Sequence, residues 1–316
     1  MNSDEFTPVI TDVKKSRKKL FVILITVVLG LGGGGYWYLM MYQPAQYGKA
    51  VLALEAEVQA YGAQSGQPRF RWRYDYETAL NALDKHEAFF VQFNQKIEAL
   101  DPPLFDQEMK ELQEDLSFVG GELTKGANDG RRTIAFVKDA IGLYRIYYPD
   151  SSTIRATLSP ELRSAQPSAP LFQPYDNLGT VIDFWRSQLA VSKPYADRMF
   201  DQEPVNLGDN SFSELKSLWE EINRAATTVL PALERQFGRN MSVSLLPSPQ
   251  ELEKTIPGAV SLDKIDEFLQ KLESVIIRGS AEEIFQSAAY PQSPDSQSRS
   301  QSMNESLKKL KEKYGE

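Results

Sequence analysis

The amino-acid sequence predicts an all-α protein: a single N-terminal transmembrane helix followed by an extracytoplasmic helical bundle made of two helical blocks. Three observations carry this reading. Leu20 to Tyr42 is a run of 23 residues without a charge. Beyond it, apolar residues recur at alternating spacings of three and four over long stretches, as on buried helix faces. Strand-like alternation is confined to two short segments, Arg69–Tyr76 and Met241–Leu245.

Residues 1–19 form a basic arm, in which Lys14, Lys15, Arg17, Lys18 and Lys19 precede the apolar run. At 1.5 Å per residue a helix over 20–42 is ~34 Å long, enough to cross a hydrocarbon core of ~30 Å. Tyr36, Trp37, Tyr38 and Tyr42 sit at its far end, where an aromatic belt meets the interface. The positive-inside rule then leaves the N-terminus in the cytoplasm and the bulk of the chain outside, on a cell (inner) membrane. A cleaved signal peptide is the competing reading. Its apolar region would be only ~7–15 residues, and no A-x-A site follows closely here. Within the run, Thr26, Gly30 and Gly34 share one face at small-x-x-x-small spacing, which lets two membrane helices approach closely.

Residues 43–148 read as a helical bundle or coiled-coil block. Tyr47, Val51, Leu54, Val58 and Tyr61 form a narrow seam that calls for a partner helix. The stretch from Gly62 to Pro68 ends it. Asp75 caps a helix from Tyr76 to about Leu100, whose seam is Tyr76, Ala79, Leu83, His86, Phe90, Phe93, Ile97 and Leu100. Pro102 and Pro103 stop it. From Phe105 to Tyr147 a single heptad phase persists through Gly126 and Gly130. Preserved phase favours one long helix with a small-residue waist. Two interior glycines, at ~1 kcal/mol each, favour a hairpin turn. The phase argument is the stronger.

Residues 149–175 hold five prolines and several serines and read as a linker or irregular loop. Residues 176–290 form the second block. It comprises a helix from Asn177 to about Phe200 kinked at Pro194, and one opened by Ser211–Glu214 that Pro231 bends or splits. Further helices open at Ser261 and Ser280, Gly238 is a C-cap, and Met241–Leu245 is a short strand. Residues 291–316 read as a disordered tail with a short basic amphipathic end.

Composition narrows the functional classes. The 316 residues carry a net charge of −8, and the portion after residue 19 carries 30 basic against 40 acidic side chains. Such a surface is not built to bind polyanions, and no nucleic-acid partner is expected. Cysteine is absent, which removes thiol chemistry and cysteine-ligated metals. His86 is the one histidine; a metal ligand or pH switch is conceivable there, but a satisfied buried histidine is the simpler reading. Ser213 and Lys216 match S-x-x-K, yet the companion motifs of penicillin-recognising enzymes are missing and the pattern recurs at Ser16 and Ser306. No catalytic residues, metal site or cofactor are expected.

The candidate recognition patch is Arg69, Phe70, Arg71, Trp72, Arg73 and Tyr74. Alternating cations and aromatics can hold a glycan, a nucleic acid or an acidic lipid by stacking and cation–π contact. The competing reading is an extended arm whose aromatics pack on the bundle while its arginines pair with the acidic surface. The expected function is a non-enzymatic scaffold or interaction component of a cell-envelope assembly. Its partners would be the membrane and a protein, or a second copy, reached through the membrane helix and the seams. Two alternatives remain: a ligand-binding or sensory helical domain with a pocket near Tyr144, Tyr147 and Tyr148, and an envelope hydrolase using paired carboxylates.

Overall fold

The computed structural model describes residues 36–65, 68–104, 106–160, 163, 176–202, 211–290 and 294–315, and every element among them is helical. In chain order these are α1 (Gln43–Ser65), α2 (Tyr76–Glu98), α3 (Gln107–Tyr147), α4 (Ser152–Thr157), α5 (Leu178–Asp201), α6 (Ser211–Phe237), α7 (Pro249–Leu252), α8 (Lys264–Arg278), α9 (Ala281–Ala289) and α10 (Pro294–Tyr314). A π-helical turn, Tyr38–Tyr42, leads directly into α1. The greater part of the expected membrane span, with Thr26, Gly30 and Gly34, lies outside the described residues. Among the described residues no helix is long and apolar enough to cross a membrane.

Two compact units emerge. One comprises Met1–Ser65, Gln92–Gly120 and Pro294–Glu316; the other comprises Gly66–Val91 and Gly121–Ser293. The division follows packing, not the proline- and serine-rich stretch at 149–175. Its cuts fall inside α2 and α3, because each of these helices contributes one end to each core.

In the first unit, α1 buries Tyr47, Val51 and Leu54, three of its five seam positions. The helix packed against them is α10. The 291–316 stretch is therefore not a disordered tail over residues 294–314, although its composition is strongly polar. Burial of Leu307 and Leu310 is worth about 1.5–3 kcal/mol each. The ion pairs Lys309–Glu108 (3.1 Å) and Lys311–Glu55 (2.6 Å) add about 0–1 kcal/mol each, so the leucines dominate. The Tyr314 ring lies over Gly48, whose missing side chain makes room for it. Tyr47 donates its hydroxyl to the Met109 carbonyl of α3 (3.1 Å).

The second unit holds the larger core. The seam of α3 is its axis: Thr133, Val137, Ala140, Tyr144 and Tyr147 are all buried. Around them pack Leu83 of α2, Trp219 and Ile222 of α6, Phe268 and Leu272 of α8, and Ile284 of α9. A second cluster joins α5 to α6 through Leu178, Ile182, Val229 and Leu233. Pro194 and Pro231 lie within α5 and α6, and neither splits its helix. Met241–Leu245 is not a strand. Ser242 makes one bridge to Asn177, and Val243–Leu245 turns into a 3-10 helix, since among the described residues no neighbouring strand extends the ladder. Several caps fall where the sequence places them. The Asn177 side chain accepts from Thr180 N–H (3.0 Å), Ser280 from Glu283 N–H (3.2 Å), and Gly238 adopts φ +70°.

α3 is one continuous helix of 41 residues, and the two glycines of its waist are explained by contact. A Cβ on Gly126 would stand 2.2 Å from the Ala288 carbonyl oxygen, and one on Gly130 2.8 Å from the Ala288 Cβ. The waist is the seat of α9. Gly121, one turn earlier and exposed, meets nothing within 4 Å. Gly121→Ala should therefore stabilise the protein by up to about 1 kcal/mol through helix propensity. Gly126→Ala should destabilise it by about 1–3 kcal/mol through overpacking. Thermal melts of the two variants should move in opposite directions; a rise for both would show that α9 does not need the waist.

Candidate functional site

The recognition patch read from the sequence is a turn, not a strand or extended arm, and Asp75 is the reason. Its carboxylate accepts from Arg71 N–H (3.0 Å), Arg71 Nε (3.3 Å), Thr78 N–H (3.3 Å) and the Thr78 hydroxyl (2.8 Å). One side chain thus caps α2 and folds residues 71–74 back over its first turn. Burial alone would push the Asp75 pKa up, but the combined hydrogen bonds from Arg71 and Thr78 outweigh it and hold the group below the ordinary carboxylate range. Asp75 is a structural anion whose accepting capacity is used within the chain.

Phe70 and Tyr74 face inward, Trp72 is half-buried, and Arg69, Arg71 and Arg73 are exposed. Tyr74 and Tyr76 are buried; the Tyr76 hydroxyl donates to the Gly279 carbonyl (2.6 Å), and burial raises its pKa strongly. Phe70 packs against Phe285, with ring centroids 6.2 Å apart, and Trp72 meets Tyr74 edge-on at 6.2 Å. Arg73 donates to the Ile277 carbonyl, while its own carbonyl accepts from Ala281 N–H (2.8 Å). The turn is therefore pinned to the α8–α9 junction at three points. Arg69 is exposed, and the Arg71 side chain is 72% exposed.

Three of the six patch residues, Arg71, Trp72 and Tyr74, line a cleft of about 540 Å³. Asp75, Tyr76 and Glu77 continue its wall, and Lys138 and Ile141 of α3 face it. Thr157, Ser159 and Pro160 close the remaining side. Arg69, Phe70 and Arg73 do not line it. Thr157, Ser159 and Pro160 are placed by the end of α4, which is capped by Ser151 and docked on α8 through the Thr153–Glu273 hydrogen bond and the buried Ile154. Lys138 and Ser159 were invisible as site residues in the sequence. Lys138 is an ordinary polar position on a long helix, and Ser159 sits in a stretch whose composition reads as a linker.

The other sequence candidates fall elsewhere. Tyr144 and Tyr147 are core residues. Burial and the Glu273 carboxylate push the Tyr144 pKa up to about 12, and the Tyr147 hydroxyl accepts from Ser192 (3.2 Å). Ser213 and Lys216 lie exposed on α6. His86 is buried beside Phe90, ring centroids 4.7 Å apart. Among the described residues no group of three or more His, Asp or Glu side chains is placed to hold a metal ion. In the first unit a groove of about 680 Å³ runs beside Phe118, where the Arg299 guanidinium stacks at 4.4 Å and pairs with Asp115 at 3.4 Å.

No protein-family model matches the chain, no curated protein matches its sequence, and no solved structure matches its fold.

Burial lowers the His86 pKa from its ordinary 6.5 to about 4, so the folded protein keeps the ring neutral while the unfolded chain protonates it. A depressed folded-state pKa gives stability that is complete above about pH 6.5 and is lost as pH falls towards 4. Chemical denaturation at pH 7 and pH 4.5 should show a larger loss for the wild type than for His86→Phe. Equal losses would show that the ring is solvated in the folded state.

Proposed function

We propose that this protein is a single-pass, membrane-anchored interaction component of a cell envelope. In this reading residues 20–42 are the anchor, residues 1–19 are cytoplasmic, and the helical units lie outside. The observation that carries it is the collar at Tyr36–Tyr42. Tyr36, Trp37, Tyr38, Met41 and Tyr42 are 67%, 57%, 52%, 64% and 42% exposed, one after another around a helix. Tyr42 stacks with both Trp37 (5.7 Å) and Tyr38 (5.5 Å). A contiguous apolar surface of that kind is unfavourable in water, and amphipathic rings are favoured at the headgroup level of a bilayer. The collar is the far end of the uncharged run and leads without a break into α1. The basic residues before the run set the orientation.

The interaction role rests on two features. The small-residue face at Thr26, Gly30 and Gly34 suits a second membrane helix, and the helical units carry their polar residues outward as a platform. An associated protein or a second copy is the partner of this reading.

The absence of cysteine makes the topology directly measurable. In spheroplasts, Ser302→Cys should react with a membrane-impermeant maleimide, and Ser3→Cys should react only after lysis. The opposite pattern would overturn the orientation, and recovery of the chain in the soluble fraction would overturn the anchor. The glycine face has its own test. Gly30→Leu combined with Gly34→Leu should leave the chain in the membrane while lowering crosslinked dimer or co-purified partner several-fold. Unchanged association would remove the membrane helix from the interface.

A further inference from the structure

We propose that the cleft between the Arg71–Glu77 turn and α3 binds an acidic sugar, a hexuronic acid unit held by its single carboxylate and by the apolar face of its ring. The inference rests on the geometry of the second unit alone and is independent of the membrane reading.

The cleft is of ligand size: about 540 Å³ falls within the ~300–1,000 Å³ of ordinary small-molecule sites. It is also built in advance. The four hydrogen bonds to Asp75 fix the turn, and the three contacts to Ile277, Gly279 and Ala281 fix it to the core. A ligand therefore need not order the loop that receives it.

The charges specify the ligand's acid group. Arg71 is held at one edge by Asp75 (Nε, 3.3 Å), which orients the guanidinium plane, and its side chain is 72% exposed. Its Nη2 stands 3.8 Å from Glu77, beyond hydrogen-bond length, so its terminal amino groups keep N–H donors for a carboxylate. Lys138 lines the same cleft from α3 and makes no ion pair among the described residues. The cleft is nonetheless not a polyanion site, because Glu77 stands 3.8 Å from Arg71 on its rim. A phosphate, with two charges on one centre, would meet that charge more closely than the single carboxylate of one uronate unit drawn to Lys138.

The remaining wall specifies the ring. Trp72, half-buried and backed by Tyr74, offers an aromatic surface to the C–H face of a sugar. Glu77 and Ser159 supply hydroxyl partners beside it, and Glu77 in particular accepts from a sugar hydroxyl. An aromatic acid would satisfy Trp72 and Arg71 but has no donor for Glu77. A neutral sugar would satisfy Trp72 and Glu77 but leave both cations unused.

The test is isothermal titration of the purified full chain, with digalacturonate, diglucuronate and dimannuronate as probes. Neutral digalactose and glutarate serve as comparators. At least one diuronate should bind about tenfold or more tightly than either comparator. Arg71→Gln and Lys138→Gln should each weaken that binding about five- to tenfold; Lys138→Gln should leave the melting temperature unchanged, and Arg71→Gln, which removes one of the four hydrogen bonds to Asp75, should lower it slightly. Trp72→Phe should keep most of the affinity, and Trp72→Leu should lose it. Absence of diuronate binding at 10 mM overturns the proposal. So does equal binding of digalactose, equal binding of glutarate, or indifference of the affinity to both cation variants.

Discussion

At Gly126 and Gly130 the longest helix has no side chains, and α9 lies where they would be. Ala288 puts its carbonyl oxygen within 2.2 Å of an ideal Cβ position on Gly126, a distance that even alanine cannot meet without movement. The two glycines weaken the helix by about 1 kcal/mol each. The contact they permit buries Ala288, Ala289, Ile284 and Phe285 in the core, which outweighs that loss. Much else follows from this seating. Gly279, just before α9, packs on Val137 and accepts the Tyr76 hydroxyl, and the first residue of α9 bonds the Arg73 carbonyl. The turn that carries Arg71 and Trp72 is thus positioned by the same close approach that closes the core.

Electrostatics then decide what that turn presents. Asp75 is consumed by its own hydrogen bonds, so its charge organises backbone instead of facing solvent. Arg71 is tethered to Asp75 at one edge and has Glu77 3.8 Å from the other, with most of its side chain in solvent. Phe70 and Tyr74 point into protein and Trp72 is half-buried at the cleft, while Arg69, Arg71 and Arg73 are exposed. Both readings of the patch are in this sense present in one turn: the packing arm for Phe70 and Tyr74, the open surface for Arg71 and Trp72.

Much of the fold is legible in the chain because helical burial is periodic. The seam from Met109 to Tyr147 is the buried stripe of α3, and the seam from Tyr76 to Ile97 is that of α2. Local hydrogen bonding is equally readable: Asp75, Asn177 and Ser280 cap where short polar side chains precede apolar runs. The failures have physical causes. Alternation at Arg69–Tyr76 and Met241–Leu245 matched a strand, but alternation within a turn looks the same, and neither segment finds a ladder to join. The C-terminal stretch was read as disordered from its composition, although two leucines and a tyrosine suffice when a complementary seam on α1 receives them.

The sequence by itself determined which residues are apolar, at what period, and where helices begin: hence an all-helical chain, a narrow seam on α1 in need of a partner, and one uninterrupted phase through the glycines of α3. These are properties of neighbours within a few turns, and local physics is enough to read them. Only the tertiary structure decided that α10 fills the α1 seam, that α9 fills the waist, and that Lys138 and Ser159 face Arg71 and Trp72 across a cleft. Those pairings join residues distant along the chain. Their stability lies in shape and burial that no single segment carries alone.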